Sequence, residues 1–134
     1  MFREALEKEL NSPNVENRLE ALAKLCALSM TGAIPEPKKT GFVNNHIHTS
    51  YSFSPYSPTK AVYMAWQSGL ATAGIMDHDS LSGAKEFIEA ARIVDLPVTV
   101  GMECRAFMQN TELCGRRISL YREGNMGQCE TRGA

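Results

Sequence analysis

Three histidines and a glutamate carry the metal chemistry available to this sequence. His46 and His48 stand two apart in NNHIHTS, His78 lies between Asp77 and Asp79 in GIMDHDS, and Glu103 follows in VGMECR. These are all three histidines of the chain. Neutral imidazole nitrogen and carboxylate oxygen together suit a divalent zinc, iron or manganese ion. In His-x-His the two imidazoles alternate around one backbone, and at a strand end that begins to turn both can aim at one cation. Each piece alone has a bland reading. The paired histidines could be a surface coincidence, Asp79 or Ser80 could cap a following helix, and Glu103 could be a solvated charge before a loop. The joint spacing favours a shared site: residues 48 to 78 and 78 to 103 are steps of 30 and 25, about one βα unit each.

The spacing needs elements that bring the residues together. GFVNNHI, LATAGIM and LPVTVGM are short apolar runs and read as strands. SPTKAVYMAWQSG reads as a helix, with Ser57 as N-cap, Pro58 at the first helical position and Gly69 as stop. SGAKEFIEAARIV places Ala84, Phe87, Ile88, Ala91 and Val94 on one face, so it also reads as a helix. The order strand, helix, strand, helix, strand predicts an α/β fold with a parallel sheet and right-handed crossovers over residues 42–103. In such folds ligands bind at the carboxyl ends of the strands. His46 and His48, His78 and Glu103 all fall at strand ends in this reading.

Residues 1–33 read as a helical preface and 34–41 as a turn-rich linker. Leu6 and Leu10 have helical spacing. A second helix has Ser12 as cap, Pro13 as first position, a stripe of Val15, Leu19, Leu22, Cys26 and Met30, and Gly32 as stop. Residues 42–118 then form the partial βα domain. After Met108 the punctuation fails: Ile118, Leu120 and Tyr121 suggest one short strand at best, and 119–134 reads as an unstructured or truncated tail.

The chain of 134 residues suits one domain and is short for a complete parallel barrel of about 250 residues. Its formal net charge of −1 supplies no global positive field for nucleic acid. Arg116 and Arg117 are a pair, not a patch, so direct nucleic-acid binding is not expected. Cys26, Cys104, Cys114 and Cys129 form no Cys-x-x-Cys pair. The charged, amphipathic start lacks a signal-peptide core, and no run reaches the ~18 apolar residues of a membrane span. A cytoplasmic chain with reduced thiols is expected.

His46-Ile47-His48-Thr49, Asp77-His78-Asp79 and Gly101-Met102-Glu103 resemble, in order and spacing, the first three motifs of the polymerase and histidinol phosphatase (PHP) superfamily. The resemblance covers about residues 42–105. It implies the amino-terminal portion of a seven-stranded parallel (β/α)7-type, TIM-like barrel, two or three divalent cations, and phosphoester hydrolysis, as in phosphatases and nucleases. It makes His46 and His48 ligands of a first metal, His78 a ligand of a further metal, and Glu103 a bridge. Asp77 and Asp79 would then orient His78 or cap the helix. Two features depart from the pattern. Phe53 in Ser52-Phe53-Ser54 occupies a position where an Asp ligand is expected, so a ligand is lost unless Tyr51 or Ser54 replaces it. No histidine follows His78, and the later motifs are missing, so the chain reads as truncated or out of frame near its end.

The leading functional expectation is a metal-dependent phosphoesterase of incomplete site, acting on a phosphorylated small molecule or nucleotide. The alternatives are a non-catalytic metal-binding or interaction fragment and a PHP module associated with a DNA polymerase. The hydroxyl run SYSFSPYS reads as a polar turn leading to the Ser57 cap. An unclosed sheet edge would favour self-association.

Overall fold

The computed structural model describes residues 2–106, 118–123 and 126–131. Two helices lead the chain, α1 (Phe2–Glu9) and α2 (Val15–Met30). Leu6 of the first and Leu10, just after it, turn inward. The second starts later than Ser12 and Pro13 suggest: Asn14 is its N-cap, and its side chain accepts from the Asn17 amide at 3.0 Å. Asn caps as well as Ser, so composition alone could not choose between them. The inward face is Ala21, Leu22, Leu25 and Ser29, while Met30, placed on the stripe by spacing, is 84% exposed. Gly32 ends the helix at φ 75°.

A strand–helix–strand–helix–strand unit follows: β1 (Val43–Ile47), α3 (Pro58–Gln67), β2 (Thr72–His78), α4 (Ala84–Ile93) and β3 (Val98–Ala106). β1 pairs with β2 and β2 with β3, both parallel, as the order of elements predicts. Ser57 caps α3 by accepting from the Lys60 amide at 2.9 Å, with Pro58 at the first turn. Gly69, at φ 70°, ends it where a Cβ would lie 2.0 Å from the Lys38 carbonyl oxygen, so no other residue fits there. The cap expected from Asp79 or Ser80 is absent. α4 begins at Gly83 with no side-chain cap, several residues beyond the reach of those two.

Helices and sheet share one core. Leu22, Leu25, Val62, Phe87, Ala90 and Ala91 pack over Ala73 and Ile75 of β2, with Ile47, Val98 and Val100 beside them. Glu86 ties the helical layer together. Its carboxylate accepts two bonds from Arg18 at 3.0 Å, one from the Thr59 amide at 3.1 Å and one from the Thr59 hydroxyl at 2.7 Å. It thereby satisfies an α3 amide that has no partner within its own helix.

Residues 118–123 and 126–131 form β4 (Ile118–Glu123) and β5 (Met126–Thr131), an antiparallel hairpin added to β3, giving the order β1-β2-β3-β4-β5. Here the structure departs from the sequence reading, which has one short strand and an unstructured tail. Short polar runs interrupted by glycine carry little periodic signal, and pairing with β3 supplies what the sequence lacks. The rest of that tail lies outside the described residues. No helix among the described residues is long and apolar enough to cross a membrane.

Candidate metal centre

β1 carries an irregularity that aims its histidines. Asn44 pairs with Ala73 and Ile47 with Ile75, so three steps on β1 match two on β2. The extra residue resets the alternation of side chains. Ile47 thus packs with the core, and its neighbours His46 and His48 turn the other way. In an unbroken register His46 would fall opposite Ile75 and face the core.

His46 lies inside β1, His48 directly follows it, and His78 is the last residue of β2. Glu103 lies within β3 rather than after it, in register with His78. The sheet brings all four together. Glu103 Oε2 is 3.1 Å from His46 Nε2, 3.5 Å from His48 Nε2 and 3.7 Å from His78 Nδ1. The His48 and His78 rings stack at 4.6 Å between centroids, and His46 and His48 lie at 5.0 Å. The ligand atoms of His46, His48 and Glu103 fall within 4.8 Å of one another.

His46, His48 and Glu103 form a group that could hold a cation, with His78 next to it. Two ligands about 2.1 Å from one ion lie about 3.0 Å apart at a right angle and about 3.4 Å apart at a tetrahedral angle. The nitrogen-to-carboxylate separations fall near that range. Among the described residues, His78 Nδ1 is buried with no hydrogen-bond partner, which is costly unless something else meets it. Burial first, then the His78 and His46 rings, hold His48 below the ordinary histidine range. That favours the neutral form a metal requires.

Among the described residues, the hydrogen bonds of the Asp77 carboxylate go to Thr49. Asp77 is 1% exposed and accepts from the Thr49 amide at 2.6 Å and the Thr49 hydroxyl at 2.7 Å, which pins the turn after His48 to β2. Asp79 stands at φ 52°, a backbone region Asp enters more readily than most residues. Its amide donates to the Glu103 carbonyl at 3.0 Å and its Oδ1 accepts from the Arg105 amide at 3.1 Å, so it ties the end of β2 to β3. Ser52, read from sequence as part of a polar turn, is 4% exposed. Its oxygen accepts from the His78 amide at 2.9 Å and lies 3.0 Å from His48 Nδ1. The signal that could have found it is its place four residues after His48 in a hydroxyl-rich stretch.

Phe53 is 89% exposed at φ 65°, with its ring 6.3 Å from that of His78. The two proposed substitutes are engaged locally: Tyr51 lies against Gly83, and the Ser54 hydroxyl accepts from the Tyr56 amide at 3.4 Å. A cavity of about 790 Å³, lined by Cys26, Trp66, Leu70 and Ile93 among others, opens at the other end of the sheet, where Ala71 and Pro97 lead into β2 and β3. It contains none of the cluster residues.

A family model described as the PHP domain matches residues 44–125. The chain belongs to the PHP domain family. Among solved structures, this PHP chain is similar to a "putative metal-dependent phosphoesterase" from Bifidobacterium adolescentis ATCC 15703, at 27% identity and a TM-score of 0.54. The match covers 66% of this chain and 29% of that one, so the PHP chain spans less than a third of the Bifidobacterium protein. No curated protein matches it. The His-x-His-Thr, Asp-His-Asp and Gly-x-Glu motifs all lie inside the matched region.

Proposed function

We propose that His46, His48, His78 and Glu103 hold a divalent zinc, manganese or iron ion, and that the chain carries part of the active site of a phosphoester hydrolase. In this reading the parallel strands are the amino-terminal portion of a (β/α)7-type barrel, and the substrate is a phosphorylated small molecule or nucleotide. The observation that carries it is the approach of three imidazole nitrogens to one carboxylate oxygen within 3.7 Å. Membership of the PHP family and likeness to the Bifidobacterium protein support it.

A bound dication lowers the pKa of its water towards ~7 and neutralises phosphate charge. The chain's own residues do the rest. Glu103, 12% exposed, presents one oxygen to all three rings. The Asp77–Thr49 bonds hold the turn that presents His48. His46, 41% exposed, leaves the cluster open to solvent on the β1 side, where a substrate phosphate can approach.

Four groups from three strands suffice for about one well-held cation, and two-metal phosphoester hydrolysis needs more. Phe53, exposed beside His78, adds no ligand. Those two facts favour a second reading, a metal-binding chain with weak or absent turnover. Zinc titration and hydrolysis of an aryl phosphate separate them. Zinc bound with negligible hydrolysis supports the second reading, zinc with hydrolysis supports the first, and no zinc sinks both.

A further inference from the structure

We propose that Ser52 is the positioning residue of the cluster: its hydroxyl oxygen takes the His78 amide and the His48 ring together, and so fixes the direction in which His48 Nε2 points. The oxygen has two lone pairs and one proton. One lone pair meets the His78 amide at 2.9 Å. The other side of the oxygen faces His48 Nδ1 at 3.0 Å. The ring nitrogen held by Ser52 is therefore Nδ1, and the one left for Glu103, at 3.5 Å, is Nε2. Ser52 is 4% exposed, so water does not replace it cheaply.

The bond is also a link between elements. Ser52 belongs to the turn after β1, and the amide it holds belongs to the last residue of β2. Ser52's own amide donates to the Thr49 carbonyl at 2.8 Å, and Thr49 is clamped by Asp77. The oxygen therefore sits on a turn already fixed at both sides. A ligating imidazole almost always has its second nitrogen held by a neighbour, and losing that neighbour typically weakens metal binding about 10–100-fold. Ser52 fills that place for His48. With a cation on Nε2, Nδ1 would keep the ring proton and donate a hydrogen bond to the Ser52 oxygen.

The inference rests on the proposed metal site, and its test separates the two. In the metal-free chain, amide exchange at His78 and the nitrogen shifts of the His48 ring are recorded by NMR for wild type, Ser52→Ala and Ser52→Thr. The expected result is a single His48 ring tautomer in wild type, and His78 exchange at least about tenfold faster in Ser52→Ala. Ser52→Thr, which retains the hydroxyl, returns towards wild type. Zinc alone is then titrated, and Ser52→Ala binds it about 10–100-fold more weakly. Unchanged His78 exchange and unchanged His48 shifts in Ser52→Ala overturn the positioning role. So does zinc affinity within twofold of wild type. If wild type binds no zinc, the metal reading fails, and the NMR comparison still decides what Ser52 does. Should Ser52→Ala not fold, the wild-type His48 ring decides alone: a mixture of tautomers overturns the inference.

Discussion

Phe53 combines an unfavourable backbone region with an exposed side chain. A bulky side chain in the left-handed region costs about 1–2 kcal/mol, and a ring 89% exposed recovers little of that by packing. Asp tolerates the same backbone better and would place a carboxylate beside His78. Phe53→Asp is predicted to raise the unfolding free energy by about 1 kcal/mol in urea titration and to tighten zinc binding. A variant less stable than wild type, with unchanged zinc affinity, would count against this account of the turn. The gathering of the histidines and Glu103 was legible in the sequence because each stands about one βα unit from the next, which brings them to neighbouring strands. Ser52, Thr49 and Asp77 were not legible in their roles. A serine in a hydroxyl-rich stretch looks like a turn former, and its partner amide at His78 is 26 residues away. Nothing local signals such a bond.

At the scale of elements, two devices decide how the helices sit. Glu86 joins Arg18 of α2 to Thr59 of α3 from a side chain 6% exposed. Removing it leaves a guanidinium and an α3 amide without their partner. Glu86→Ala is predicted to cost about 3 kcal/mol, read from the urea midpoint. Glu20→Ala, which breaks the exposed Lys24–Glu20 pair on one helix, leaves the midpoint unchanged. The second device docks α1. Burial first, then its hydrogen bond to Glu7, pushes the Tyr63 hydroxyl up to about 12, and that same bond holds Glu7 below its ordinary value. Tyr63 is neutral in the fold, so its contribution is full below pH 10.0 and is lost as pH rises towards about 12. Glu7 is ionised in the fold, so its contribution is full above pH 4.5 and is lost as pH falls. Phenolate absorbance should show a late phase reaching about 12, and Tyr63→Phe should remove that phase. The absence of a late phase that Tyr63→Phe removes would contradict the docking. Sequence punctuation located α3 because Ser57, Pro58 and Gly69 each have one strong local meaning. It missed the start of α2, where Ser12 and Asn14 compete as caps. It also missed the irregularity in β1, which exists only as a mismatch between two strands.

On the scale of the whole molecule, β1 is an outer strand of the described sheet, with Phe42 just before it 75% exposed and its first residue Val43 58% exposed. An open, apolar edge is a template for pairing. Sedimentation is predicted to show association that grows with concentration and is reduced by Val43→Lys; a monomer at all concentrations would contradict it. The parallel unit was legible because apolar runs alternating with helical patterns leave few topologies. The β4–β5 hairpin was not, since its pairing depends on β3 rather than on its own pattern. All scales meet in one claim, that the sheet brings three imidazoles and a carboxylate to a single cation. The most direct test is zinc titration of the 134-residue chain by calorimetry, wild type beside His48→Ala and Glu103→Gln. The account predicts about one zinc per chain, bound at least about tenfold more weakly in either variant. Zinc binding absent from wild type, or undiminished in both variants, would contradict it.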